Sequence, residues 1–599
     1  MSNCERSSLT GYASIDKPWL KYYSDDLINK KLPEMNVNDY VYQNNKKHLG
    51  RIALNYFGNK ITYEDFFNKV DQTARAFLNI GIKKGDIVTV SLPMLPESIY
   101  IFYALAKIGA VSNMIDPRTN ESGTREYINE VNSKILVAVD NIYPNIKNVI
   151  CDEQLEKVII VNPTDSLPLG MRLVSKLKPN QTDYNNKKII SWNRFIKDGK
   201  QYTEDYATIY EKDLPISIVH TGGTTGFPKG VLLTNDNYNA MVEQFRYSGI
   251  DFKREHTWLG MIPLFFAYGG GVGLHHPLSI GMEIKVIPMF NPEKMDELVL
   301  KYKANHMAII PSYYESIIHS PKAKKADFSF LVMPASGSDR MDPTFEKEIN
   351  DFLEEHNCHN KVAKGYGMSE VTSAICGGVT PESNKLGSVG IPFSHSVVAI
   401  FDPETNKELQ YGSVGEVCMT GPNVMKGYYN NPEENAKIMR LHEDGKVWIH
   451  SGDLGYMDED GVLYIEGRMK RMIIKYGGFK VFPTLIEKTI MTLPAVENVS
   501  VIGVEDIDHP EFTIPKANIV IKKEYKNMGL EDTILEQAKA ICEEKLPDYY
   551  VPTYWKVKDN LPLTNAGKID FRTLEVEANE EMRIERETSI MTRKLKLSK

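Results

Sequence analysis

The chain has 599 residues, with 71 Lys plus Arg against 79 Asp plus Glu and a formal net charge of −8. With 42% hydrophobic, 10% aromatic and 25% charged residues it can bury a large core, and the small charge imbalance excludes a disordered chain. A pI near 6.0 gives no global electrostatic reason to bind nucleic acid or an anionic membrane.

In chain order, residues 1–12 lack the apolar core of a signal peptide, and no apolar run is long enough to span a bilayer. The most apolar stretch, 98–115, is interrupted by Lys107 and Asn113. Its residues Ile99, Phe102, Tyr103, Ala106 and Ala110 recur at helical spacing and predict a buried amphipathic helix. Short apolar strands at 216–219, 231–233, 307–310 and 331–333 alternate with helical stretches and Gly-rich turns, which predicts α/β layering around buried sheets. A basic, Gly-bearing segment at 467–478 marks a boundary, so the expected division is a large body over 1–468 and a smaller one over 469–599. The charged tail from Glu575 reads as a solvated helix or as disordered. The six cysteines (Cys4, Cys151, Cys358, Cys376, Cys418, Cys542) form no Cys-x-x-Cys pair and have no histidine at metal spacing. They read as reduced thiols of a cytoplasmic protein.

The most informative stretch is His220-Thr221-Gly222-Gly223-Thr224-Thr225-Gly226-Phe227-Pro228-Lys229-Gly230. Glycines let backbone N–H groups approach an anion, threonines add hydroxyl donors and a lysine adds charge, so the composition suits polyphosphate. It is not a Walker A loop, because Pro228 precedes Lys229 and an apolar strand follows where that motif opens a helix.

This stretch resembles the phosphate loop of the adenylate-forming enzymes, the superfamily of acyl-CoA synthetases, aryl-CoA ligases, peptide-synthetase adenylation domains and luciferase. Further motifs follow in that superfamily's order: Gly365-Tyr366-Gly367-Met368-Ser369-Glu370, Gly387-Ser388-Val389-Gly390, Gly415-Glu416-Val417, Gly427-Tyr428, Ser451-Gly452-Asp453, Gly467-Arg468-Met469-Lys470 and Leu563-Thr564-Asn565-Ala566-Gly567-Lys568. The resemblance covers about residues 50 to 575 and is closest to acyl- or aryl-CoA ligases. It implies a large N-terminal α/β domain of layered sheets and helices, including a small β-barrel-like subdomain, and a smaller, mobile α+β C-terminal domain.

The resemblance implies a two-step reaction in which a carboxylate attacks the α-phosphate of ATP and a thiol then displaces AMP. The nucleotide site it implies comprises Thr221, Gly222, Gly223, Thr224, Thr225, Gly226, Lys229, Ser336, Gly337, Ser338, Gly365, Tyr366, Gly367, Met368, Ser369, Asp453, Arg468 and Lys568. The threonines and Lys229 would hold the β- and γ-phosphates, Ser369 the α-phosphate and Glu370 a Mg²⁺ ion. Tyr366 would pack on adenine, and Asp453 with Arg468 would hold the ribose. Lys568 would bridge carboxylate and α-phosphate. Lys470 would be the hinge, and Lys475, Gly477 and Gly478 would serve the thiol side. Taken singly, each has an ordinary reading as a packed aromatic, turn residue or solvated lysine; their joint order gives the functional one its weight.

Phe265, Phe266, Tyr268, Gly270 and Tyr313, with Trp258, Met307 and Tyr314, suggest an apolar acyl pocket, and the run Gly269-Gly270-Gly271-Val272-Gly273 would leave room beside it, although the run taken alone reads more readily as a glycine-rich turn among core aromatics. Phe266 stands where many of these ligases carry histidine, Lys364 is unusual before the Gly-Tyr-Gly motif, and no aspartate near Phe266 would pair with an amino acid's amine. The expected substrate is a hydrophobic carboxylic acid, fatty or aromatic, and the expected acceptor is CoA. A phosphopantetheine on a separate acyl carrier protein is the alternative. Lys229, Glu370, Asp453 and Lys568 together argue against a catalytically silent binding module.

Overall fold

The computed structural model describes residues 9–168, 170–172, 182–221, 228–246, 248–339, 341–378, 380–476, 479–506, 509, 512–564 and 569–582. The chain divides into two compact units, one made of 1–399, 418–450 and 457–463, the other of 400–417, 451–456 and 464–599. It passes from one to the other within strands Val397–Phe401, Gly415–Thr420 and Val447–Met457 of a five-stranded sheet. Among the described residues no helix is long and apolar enough to cross a membrane.

The larger unit is built on two sheets. The eight-stranded sheet runs in the order Gly427–Tyr428, Gly230–Thr234, Pro215–His220, Val111–Met114, Ile87–Ser91, Ile135–Val139, Lys157–Val161 and Ile189–Ser191. It is parallel from Pro215–His220 to the far edge and antiparallel at Gly230–Thr234 and Gly427–Tyr428. The Thr/Gly-rich motif therefore links the two strands, Pro215–His220 and Gly230–Thr234, at which the sheet changes sense. The nine-stranded sheet runs Ile391–Pro392, Cys376–Gly377, Ala363–Tyr366, Met333–Ser336, His306–Ile309, Thr257–Gly260, Glu283–Val286, Ile52–Tyr56 and Asn59–Thr62.

The alternation of strand and helix appears as the sequence predicts, with two local differences. The helical spacing over 98–115 resolves into helix Pro96–Lys107 and strand Val111–Met114. Gly109 separates them at φ 71, a backbone conformation that suits glycine. That helix is buried on nearly every face, so its polar interruptions mark its end and the next strand rather than a solvent face. The strand read at 331–333 is instead Met333–Ser336.

The smaller unit pairs strand Val496–Glu505 antiparallel with Thr513–Ile521, and that strand parallel with Tyr554–Lys558. Helices Pro483–Met491 and Glu531–Lys545 cover a core of Ile486, Ile490, Val501, Ile519 and Ala538. The start of the charged tail differs from its expected solvated state. Residues 571–582 are helical, and Leu574, Ala578 and Met582, four residues apart, pack on Ile502 and Val504. The expected fold class, a large layered α/β body with a smaller α+β one, is the class observed.

Candidate active site

Strands Pro215–His220 and Gly230–Thr234 pair His220 with Gly230 and leave Thr221 and Lys229 facing each other at the mouth of the Thr/Gly-rich turn. The Thr221 N–H donates to the Lys229 carbonyl at 3.0 Å, and the Lys229 N–H donates to Thr221 Oγ1 at 3.2 Å. Gly222, Gly223, Thr224, Thr225 and Gly226 lie outside the described residues. Lys229 Nζ is 2.6 Å from Glu434 Oε2 and 4.6 Å from the centre of the Tyr428 ring. Hydrogen bonds from Lys229 and then Lys437 hold the Glu434 carboxyl down at about 2. His220, buried behind this mouth, is pushed down to about 4 by desolvation, so it is neutral at pH 7, with Nε2 2.7 Å from Asn113 Oδ1.

The second motif crosses from strand Ala363–Tyr366 through the 3₁₀ turn Ser369–Val371 to strand Cys376–Gly377. Its turn closes at Thr372 and Ser373, with φ 56 and 105, a conformation that β-branched and bulky residues rarely adopt. Gly367 is needed here, because a Cβ at that position would come within 2.0 Å of the Ser373 carbonyl oxygen. Asn423, fully buried, braces the turn. Its Nδ2 donates to the carbonyls of Val371 (2.9 Å) and Ala374 (3.0 Å), and its own carbonyl accepts from Thr372 Oγ1 at 2.7 Å. Glu370, also buried, accepts at Oε1 from the Tyr428 hydroxyl at 2.6 Å. Burial first, and the Glu370 charge second, push the Tyr428 phenol up and keep it a donor. Tyr428 thus touches both Lys229 and Glu370.

Ser336 ends the adjacent strand and lies opposite Lys364 in register; Gly337 follows, and Ser338 takes a positive φ of 67. Lys364, unusual in the sequence, pairs with Glu346 at side-chain exposures of 5% and 2%. Glu346 Oε2 in turn accepts from the Gly387 N–H at 3.0 Å. A pair this deeply buried persists only because both charges are hydrogen-bonded.

In the smaller unit, Arg468 Nε lies 2.6 Å from the buried Asp453 carboxylate, and Arg468 Nη1 donates to the Ser451 carbonyl at 3.3 Å. The Asp453 N–H donates to Ser451 Oγ at 3.0 Å, and Gly452 between them takes φ 69. Lys470 lies in the 3₁₀ turn Met469–Arg471, whose Arg471 is held by Glu487 at 2.5 Å. Lys475 Nζ donates to the Tyr549 carbonyl at 3.1 Å, and desolvation lowers its pKa. Gly477, Gly478 and Lys568 lie outside the described residues.

Among the residues read as an acyl pocket, Phe265 is buried and Phe266 half-buried, their rings 4.7 Å apart. Tyr313 meets Phe290 edge-on at 5.4 Å, while Tyr268 lies close to Gly337. The glycine run leaves no open space: a Cβ on Gly269 would meet the Pro263 carbonyl at 2.0 Å, on Gly270 the Tyr238 hydroxyl at 3.2 Å, and on Gly271 Ser373 Oγ at 2.7 Å. Its glycines serve close packing, Gly271 against the turn that follows Glu370. Trp258 and Met307 are core residues, Trp258 stacked on His306 at 5.8 Å. Sequence reasoning missed Asn423 and Glu434, which carry no motif of their own. It also missed that Cys418 Sγ lies 3.4 Å from His450 Nδ1 across 32 residues.

The AMP-binding enzyme family model matches residues 41–429, and the AMP-binding enzyme C-terminal domain model matches 485–568. The chain belongs to the AMP-binding enzyme family. It is similar to a long-chain-fatty-acid–CoA ligase of Bacillus subtilis (strain 168), 30% identical over 94% of this chain and 98% of the relative. A probable 4-coumarate–CoA ligase 1 of Dictyostelium discoideum is 29% identical over 84% of this chain and 89% of its own. In fold it resembles ATP-bound MatB from Rhodopseudomonas palustris, with a TM-score of 0.77 at 23% identity over 91% of this chain and 99% of that one. Like its relatives, this AMP-binding enzyme is a ligase of the acid–thiol class.

Proposed function

We propose that this ligase activates a hydrophobic carboxylic acid with ATP and transfers the acyl group to CoA. In the first step a carboxylate oxygen attacks the α-phosphorus and the bond to pyrophosphate breaks. In the second, a thiol sulfur attacks the acyl carbon, loses its proton and expels AMP. The reactants of the first step are anions that repel each other, so catalysis rests on charge neutralisation and alignment. Thr221, Thr224, Thr225 and Lys229 take the β- and γ-phosphates, Ser369 the α-phosphate, Asp453 and Arg468 the ribose, and Lys568 the carboxylate and α-phosphate. Lys470 is the hinge between the adenylation and thioester-forming arrangements, dividing the chain into 1–468 and 469–599.

The observation that carries the reading is the braced turn of Ser369 and Glu370, joined through Tyr428 to Lys229 at the mouth of the Thr/Gly-rich turn. Mg²⁺ fits this donor set. It takes oxygen ligands, commonly one or two carboxylates with substrate phosphates, and Glu370 is a buried carboxylate beside the proposed phosphate lysine. Bound there, the ion would neutralise phosphate charge.

Two observations support a hydrophobic acid: the aromatic pairs Phe265–Phe266 and Phe290–Tyr313, and relatives named for long-chain fatty and 4-coumaric acids. The test compares acetate, octanoate, palmitate, cinnamate and a steroid acid in pyrophosphate release with CoA present and absent. Octanoate, palmitate or cinnamate is expected to lead, with acyl-CoA as product. A preference for acetate overturns the substrate class, and acyl-adenylate accumulating in the presence of CoA points to a carrier-protein acceptor.

A further inference from the structure

The ion pair between Lys229 and Glu434 has a consequence for nucleotide binding. Glu434 lies on helix Pro432–Ile438, 205 residues from Lys229, and its two carboxylate oxygens serve two lysines. Oε2 accepts from Lys229 at 2.6 Å and Oε1 from Lys437, one helical turn on, at 2.5 Å. The side chains of Lys229 and Glu434 are each about one-third exposed, at 31% and 30%, so phosphate can reach the ammonium. The Glu434 carboxyl is ionised throughout the physiological range.

We propose that Glu434 is a positioning residue that acts through Lys229: a built-in counter-ion that occupies the lysine until ATP phosphate displaces it. This rests on the reading of Lys229 as a phosphate ligand. An incoming triphosphate meets a lysine already paired, and beside it a carboxylate of its own sign, so part of the attraction between Lys229 and phosphate is spent on exchange. Lys437 makes the exchange feasible, because Glu434 keeps one cation when it gives up the other. The Tyr428 ring lies under the ammonium during the exchange and ties the same place to Glu370 through its hydroxyl. The pair holds the Lys229 ammonium beside Glu434 in the free enzyme, which lowers the affinity for ATP.

The two partners of Glu434 make opposite predictions. Removing its charge frees Lys229, whereas removing Lys437 leaves Glu434 with Lys229 alone. We expect Glu434→Gln to lower the KM for ATP about threefold or more with kcat within about twofold. Lys437→Met should raise that KM by a similar factor, and the double variant should behave as Glu434→Gln. The assay is acid-dependent pyrophosphate release over a range of ATP concentrations, with thermal unfolding as a control that neither surface substitution should move. Lys229→Met, run alongside, should raise the KM for ATP at least tenfold. If Lys229→Met does and Glu434→Gln leaves the KM unchanged or raises it, the counter-ion role is wrong while the phosphate reading stands. If Lys229→Met leaves the KM unchanged, the phosphate reading of Lys229 fails and the counter-ion role fails with it.

Discussion

Glu370 and Lys229 both touch Tyr428, yet the chain holds them on different terms. Glu370 is buried on a turn whose backbone is fixed by Asn423, by the Met425 N–H donating to the Glu370 carbonyl at 2.8 Å, and by the close approach of Gly367. Lys229 stands at a hairpin mouth, one-third exposed, and among the described residues it pairs with one carboxylate, Glu434, that it shares with Lys437. The smaller unit repeats the contrast: the Asp453 side chain is 7% exposed and Arg468, which pairs with it, 56%. In the smaller unit the exposed cation rests directly on the buried acid, whereas in the larger one Lys229 pairs with the equally exposed Glu434 and reaches the buried Glu370 only through Tyr428. Rigid acids fix where cations and hydroxyls are to lie, and exposed cations can exchange an internal anion for a substrate's.

The largest effect that would break this contrast is expected at Asn423. Asn423→Leu leaves the carbonyls of Val371 and Ala374 buried without their donor and should cost about 4 kcal/mol by denaturant titration. Pyrophosphate release should fall much further than that loss of folded protein explains. A variant as stable and active as the parent would mean that the Glu370 turn holds itself.

Glu97 sharpens the comparison from another side, since it is a buried acid that forms no ion pair among the described residues, with Lys69 acting on it only weakly. On helix Pro96–Lys107, its Oε1 accepts from Ser166 Oγ at 2.5 Å, and desolvation pushes its carboxyl up to about 7. With the folded pKa above the unfolded one, the contribution is intact below about 4.5, declines as pH rises and is fully lost above about 7. Wild type should therefore lose about 3 kcal/mol at this site between pH 4.5 and 8, and Glu97→Gln should flatten that slope in urea midpoints taken across the range. An unchanged slope would mean that burial of this acid costs little.

A smaller effect is expected at Gly271, where an added methyl would press on Ser373 Oγ and the Thr372 carbonyl oxygen, at 2.7 and 2.9 Å. Gly271→Ala should cost about 1–2 kcal/mol and lower kcat with little change in the KM for ATP, because the strain reaches the turn after Glu370. A change in KM alone would place the disturbance on the Lys229 side instead.

Much of this arrangement was legible in the sequence, for reasons that differ by element. The strands flanking the Thr/Gly-rich turn are apolar runs bounded by punctuation, and they fold within a residue of where they read. The strand that reads at 331–333 lies at Met333–Ser336, where the nine-stranded sheet admits Pro334 within a parallel strand although proline cannot donate to a ladder. The glycine run admits two readings by composition, room beside a pocket or a turn packed among core aromatics, and the neighbours Pro263, Tyr238 and Ser373 decide for close packing. Asn423 and Glu434 were illegible because the partners that give them a role here, the turn carbonyls and Lys229, lie 49 to 52 and 205 residues away and are chosen by the fold alone.

The most direct test of the central claim is exchange of labelled pyrophosphate into ATP by the wild-type enzyme, measured with octanoate, palmitate or cinnamate and without CoA. Formation of an acyl-adenylate predicts exchange that requires the acid and proceeds without any thiol. Exchange that appears only when CoA is present, or that none of these acids elicits, would contradict it.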